Sequence, residues 1–103
     1  MTIIIERLKN IFNVKVENFN YWDKLIKILD KIQDKNIRLI FNDCLELHDD
    51  YKLISIISKY NIFSLEIIDT QLKSNVILNI LNINNNNIKE YYFMNNNFND
   101  IDY

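Results

Sequence analysis

His48 is the chain's single histidine, and it stands directly before Asp49 and Asp50. A histidine beside carboxylates suggests a metal ligand or a general base. A metal site needs three or more ligands held from separate elements, whereas successive residues of one run face different ways. The run reads instead as a solvated loop ahead of a helix, whose N-terminus the two aspartates favour through its dipole. Cys44, the single cysteine, has no partner base nearby in sequence. A reactive thiolate needs such a base or a helix N-terminus to lower its pKa, so Cys44 reads as a small buried hydrophobe. One histidine and one cysteine cannot fill a tetrahedral zinc site, so no metal and no cofactor is expected.

Two further groups carry polar or aromatic chemistry. Asp69-Thr70 ends an apolar run and opens a helical one, a place that could present a hydroxyl for phosphorylation or bind an anion. Helix capping explains both residues more simply. Tyr91, Tyr92, Phe93 and Phe98 cluster toward the C-terminus with only Lys89 beside them. Stacking on nucleic-acid bases wants cationic neighbours, so a packed edge strand or a partner contact is expected instead.

The composition narrows the classes further. The chain has 103 residues, a net charge of −2 and not one glycine or proline. Alanine is also missing, while Ile and Asn are heavily used. Turns normally favour Gly and Pro, so an AT-biased genome accounts for this usage better than folding does. The Asn84–Asn87 run therefore need not be prion-like, nor the isoleucines a sign of an all-β protein. A chain without glycine cannot form a Gly-rich phosphate loop, which excludes the usual nucleotide sites. The sequence pI of about 5.3 leaves no electrostatic footprint for nucleic acid. No apolar window has the length of a membrane span. The first nine residues lack the basic-then-apolar pattern of a secretory signal.

The elements that position these residues follow from periodicity. Thr2 to Leu8 is rich in β-formers, and Ile11 to Val16 alternates with Phe12, Val14 and Val16 on one face. Lys9-Asn10 can turn the two into a hairpin, because Asn tolerates positive φ. Asn20 can cap a helix in which Trp22, Leu25, Ile26, Leu29 and Ile32 share a face. Ile37 to Phe41, with Arg38 inside it, reads as a buried strand. Asp49 or Asp50 can cap a second helix with Leu53, Ile54, Ile57 and Tyr60 on one side. Ile62 to Ile68 is a further strand. Asp69 or Thr70 can cap a last helix carrying Leu72, Val76, Ile77, Ile80 and Leu81. Ile88 to Met94 can add a final short strand.

The order is β-β-α-β-α-β-α with an optional closing β, which implies right-handed crossovers and a mostly parallel or mixed sheet packed against helices. We read residues 1–94 as one α/β domain and residues 95–103 as an Asn-rich C-terminal tail expected to fray. The expected core is Trp22, Leu25, Leu29, Leu39, Leu53, Ile57, Leu65, Ile67, Val76 and Ile80.

Several of these features recur together in one family. They are Trp22 with Leu25 and Leu29 behind it, the strand I-R-L-I-F, the loop N-D-C-L-E-L-H-D-D, the helix entry Y-K-L, and a strand ending in Thr70 before Q-L-K. On these motifs the stretch from about Phe19 to Ile83 resembles the N-terminal domain of the septum-site-determining protein MinC, particularly its cyanobacterial form. The family carries Gly near the end of the last helix, and this chain has none. The resemblance implies an isolated or reduced inhibitor domain, without the Gly-rich β-helical half that dimerises and binds the ATPase MinD. It implies a protein partner, the tubulin-like division protein FtsZ, whose filament assembly the domain would oppose. It also implies a cytoplasmic location, or the plastid stroma for an organelle-encoded copy.

The same element order also resembles STAS domains, the anti-sigma-factor antagonists. Their loop before the second helix carries D-S-S-G-L, where this chain has H-D-D-Y-K-L. Asp50 takes the place of the phosphorylated serine and Lys52 that of the glycine. That resemblance implies an interaction module without the phosphorylation switch. An enzyme would instead need a pocket that gathers His48, Cys44 or Asp43 with a partner group.

Overall fold

The computed structural model describes residues 1–19, 22–44, 50–70, 72–83 and 87–94. Its elements are β1 (Thr2–Leu8), β2 (Ile11–Glu17), α1 (Trp22–Lys31), β3 (Asn36–Asn42), α2 (Asp50–Lys59), β4 (Ile62–Ile68), α3 (Ser74–Leu81) and β5 (Glu90–Met94). The optional C-terminal strand is therefore present. The strands form one sheet in chain order, β1-β2-β3-β4-β5. The β1–β2 hairpin is antiparallel and every later pair is parallel.

Side-chain alternation divides the sheet into two unlike faces. Val14, Val16, Ile37, Leu39, Phe41, Leu65 and Ile67 are completely buried and share one face. Against them pack Leu25 and Leu29 of α1, Leu53, Ile56 and Ile57 of α2, and Ile77 and Ile80 of α3. Strands that follow chain order with right-handed crossovers place successive helices on the same side. Among the described residues the opposite face carries no helix, and its residues are mostly half-buried or exposed.

Eight of the ten expected core residues are buried, and Trp22 and Val76 are only partly so. Trp22 opens α1 at the rim of the core. It forms an aromatic cluster with Phe19 and Phe41, at ring separations of 4.5 Å and 6.2 Å. In α2 the buried stripe is Leu53, Ile56 and Ile57, continued by Tyr60 just beyond the helix, so Ile56 takes the place expected of Ile54. In α3 Ile77 and Ile80 form the buried side and Leu81 is exposed, while buried Leu72 precedes the helix.

Asp69 and Thr70 do not cap that helix. Its N-cap is Lys73, which makes no side-chain capping bond. Thr70 instead donates its hydroxyl to the Ile68 carbonyl at 2.8 Å. The expected caps Asn20 and Asp49 lie outside the described residues, as does the 95–103 tail, while Asp50 is the first residue of α2.

Asp69 belongs to a repeated device. The residue after each of the first four strands has positive φ: Lys9 at 54°, Asn18 at 53°, Asp43 at 55° and Asp69 at 50°. The chain thus leaves each strand through a left-handed residue, a job that glycine does at no steric cost. Asn and Asp tolerate this region best among the remaining residues. Two of these turns are also hydrogen-bonded across the sheet. Asp43 N–H donates to the Ile68 carbonyl and Asp69 N–H to the Met94 carbonyl, both at 3.0 Å. In the hairpin the positive φ falls on Lys9 rather than on Asn10, where the residue types had suggested it.

Two stability outcomes follow. Lys9→Gly removes a left-handed penalty of about 1–2 kcal/mol and adds about 0.5–1 kcal/mol of unfolded-state entropy. Chemical denaturation should therefore show a net gain of roughly 0.5–1 kcal/mol. Leu39→Ala, at a fully buried position of the central strand, should lower stability by about 2–5 kcal/mol in the same assay.

Candidate functional site

Register assigns the residues of the uncovered face row by row. Glu6, Asn13, Arg38, Ser64 and Glu90 form one row across all five strands. Ile4, Lys15, Ile40, Glu66 and Tyr92 form the next, and Thr2, Glu17, Asn42, Ile68 and Met94 the third. The surface thus interleaves apolar and charged groups. Ile4, Tyr92 and Met94 on it are 48%, 46% and 41% exposed. Its ionisable side chains are Glu6, Glu17, Glu66 and Glu90 against Lys15 and Arg38, an acidic excess.

Arg38 sits near the middle of this face. Its guanidinium donates to Asn13 Oδ1 at 3.3 Å and lies 5.3 Å from the centre of the Phe63 ring. Phe63 reaches that place because a register irregularity between Ile37 and Arg38 pairs Arg38 with Ser64. A shallow cavity of about 330 Å³ beside it is lined by Arg38, Ser64, Glu66, Glu90, Tyr91 and Tyr92. On β2, Lys15 pairs with Glu17 at 3.2 Å. These contacts hold Arg38, Lys15 and Glu17, while Ile4, Tyr92 and Met94 stay partly exposed between them, with the Tyr92 hydroxyl 4.0 Å from Met94 Sδ. Ile37 to Phe41 is therefore buried on one side only, and Arg38 faces away from the core.

Among the described residues, those singled out for chemistry do not gather. Cys44 is fully buried, and its thiol faces the carbonyl oxygens of Val16 and Asn42, each at 3.3 Å. Burial pushes its pKa up, against a smaller lowering by backbone hydrogen bonds. A thiol held protonated in this way is a poor nucleophile. Asp43 is exposed in its turn. His48, Asp49 and Phe98 lie outside the described residues. Among the described residues no cluster of three or more His, Cys, Asp or Glu could hold a metal ion. No helix among them is long and apolar enough to cross a membrane. Tyr91, Tyr92 and Phe93 form the edge strand β5, with Tyr91 and Phe93 stacked at 6.1 Å on the helix side.

One polar group escaped the sequence reading because its members are thirty positions apart. Tyr60, whose ring is buried just after α2, donates its hydroxyl to the Asp30 carboxylate of α1 in a short hydrogen bond. Lys59 lies 3.5 Å from the same carboxylate and 5.2 Å from the Tyr60 ring centre. The Tyr60 hydrogen bond, helped by Lys59, holds the Asp30 pKa below its ordinary value against some desolvation. Desolvation and the carboxylate raise that of Tyr60, and its partners raise that of Lys59. This clasp joins the last turns of two helices and is structural.

Comparison of the chain with protein-family models, with curated proteins and with solved structures finds no match.

The clasp sets a pH dependence. A lowered carboxylate pKa adds stability above the unfolded value, about 3.9. That stability is lost as pH falls through the lower folded value. Raised Tyr60 and Lys59 values add stability that is lost as pH rises above about 10. Thermal midpoints between pH 7 and pH 3 should therefore fall less steeply for Tyr60→Phe and Asp30→Asn than for the unaltered protein. Equal slopes would show that the clasp does not couple to folding.

Proposed function

We propose that the chain is a non-enzymatic protein-interaction module that docks through the uncovered face of its sheet. The observation carrying this reading is that face itself, where exposed Ile4, Tyr92 and Met94 stand among charged side chains. Exposed apolar groups framed by polar ones mark association surfaces more often than catalytic ones. The acidic excess favours a partner surface that offers apolar and basic groups.

The resemblance to the MinC N-terminal domain supplies the partner to test first, the division protein FtsZ. On this reading the module covers one subunit surface and opposes filament assembly at the division site, in the cytoplasm or the plastid stroma. A standard interface of roughly 800 Å² per partner fits such a sheet face.

The test is sedimentation of FtsZ filaments, from the same source and with GTP, in the presence of excess protein. Fewer pelleted filaments are expected. Tyr92→Lys and Met94→Lys, both at exposed positions, should weaken the effect roughly tenfold or more without lowering the melting temperature. Unchanged filaments together with no association would overturn the FtsZ reading and favour the STAS-like regulatory module. An effect that both variants leave intact would move the contact off this face.

A further inference from the structure

Among the described residues the outer strand of the hairpin is an open edge of the sheet. Among these residues β1 pairs with β2 on one side only, in unbroken register from Thr2 opposite Glu17 to Leu8 opposite Ile11. Alternate residues of such a strand turn their N–H and C=O groups outward. Folded proteins usually blunt this kind of edge with lysine, proline, a bulge or an inward-pointing charge. In β1 such charges are confined to the C-terminal half, where Arg7 stands on the helix side opposite Phe12, while residues 2–5, T-I-I-I, carry none of these devices. Successive side chains of a strand face opposite ways. Ile4 is therefore left 48% exposed on the uncovered face, and Ile5 45% exposed on the helix side, outside the packed core.

We infer that two copies of this chain pair antiparallel along β1, joining their sheets into one of ten strands. A two-fold axis perpendicular to the sheet keeps both faces in register, so only pairings centred on a residue are allowed. Centred on Ile4, the pairing sets Ile4 against the partner's Ile4. It also sets Ile3 against the partner's Ile5, and the reverse. Thr2 then faces the partner's Glu6, and Met1 the partner's Arg7, so no charged side chains of like sign are opposed. Centring on Ile5 would place Ile4 against the partner's Glu6 and Ile3 against the partner's Arg7. Centring on Glu6 would oppose two carboxylates, which is destabilising. The Ile4-centred register alone matches isoleucine with isoleucine on both faces.

This self-complementarity makes a second copy the fitting occupant, because one two-fold contact uses both edges and closes. A single strand pair buries less than the roughly 800 Å² per partner of a standard interface. The dimer is therefore weak, with a dissociation constant on the order of 1–100 µM. It places two uncovered faces side by side, which raises the avidity of either for a repeating partner.

Sedimentation equilibrium over a concentration series tests this on the full chain. The unaltered protein should show a reversible monomer–dimer equilibrium. Ile4→Lys, which opposes two ammonium groups at the axis, should weaken it at least about tenfold and leave the melting curve of the dilute protein unchanged. Under mild oxidation Ile4→Cys should cross-link to a covalent dimer faster than Ile5→Cys, since directly opposed Cβ atoms lie about 4.5–5.5 Å apart. The unaltered protein, whose Cys44 is buried, should not cross-link. A protein monomeric up to about 1 mM overturns the proposal, as does a dimer indifferent to Ile4→Lys. Faster cross-linking through Ile5→Cys overturns the register.

Discussion

Strand order in this sheet repeats chain order, and right-handed crossovers then stack every helix on the same side. Most of the molecule's other properties descend from that constraint. The covered face holds the completely buried strand residues, from Val14 and Val16 on β2 to Leu65 and Ile67 on β4. The other face must meet water or a partner, so Arg38, Lys15 and the glutamates stand there beside Ile4, Ile40 and Tyr92. A sheet wound on both sides would have hidden these rows. The same topology places the hairpin strand β1 at the outside, where one side of its backbone has no strand partner among the described residues.

A chain without glycine has to turn out of each strand by other means. Asn18, Asp43 and Asp69 do this after β2, β3 and β4, at the ends of three adjacent parallel strands. Their short polar side chains make the left-handed region tolerable. Asp43 and Asp69 also extend the ladder by one hydrogen bond to the neighbouring strand before the chain departs. The heavy use of Asn and Asp therefore has a structural use even if biased base composition supplied it. The cap expected of Asp69 gives way to this role, because a residue that turns the chain left-handed out of a strand cannot also serve as the extended N-cap of a helix.

The helix layer is held by contacts of different character at its two ends. Near the start of α1 the Phe19 and Trp22 rings, tilted against each other, both meet the Phe41 ring edge to face. At the far ends of α1 and α2 the Asp30–Tyr60–Lys59 clasp joins side chains that are individually exposed, apart from the buried tyrosine ring. The first contact is apolar and insensitive to pH, and the second is electrostatic and screened by salt.

Local pattern determined the elements. Alternation in Phe12, Val14 and Val16, the three-and-four spacing of Leu25 and Leu29, and the short apolar runs at β3 and β4 each answer to one neighbour-scale rule. The sequence thereby determined the β-β-α-β-α-β-α order with its closing strand, and most of the core. Tertiary structure decided what depends on residues far apart in the chain. Which side of β3 stays open, and hence that Arg38 faces Asn13 and Phe63 rather than the core, follows from strand order and the irregularity at Ile37. The substitution of Ile56 for Ile54 in the buried stripe follows from how α2 sits on the sheet. The Tyr60–Asp30 bond spans thirty positions. No periodicity reports it, because only the packed helices bring the two groups within hydrogen-bonding distance.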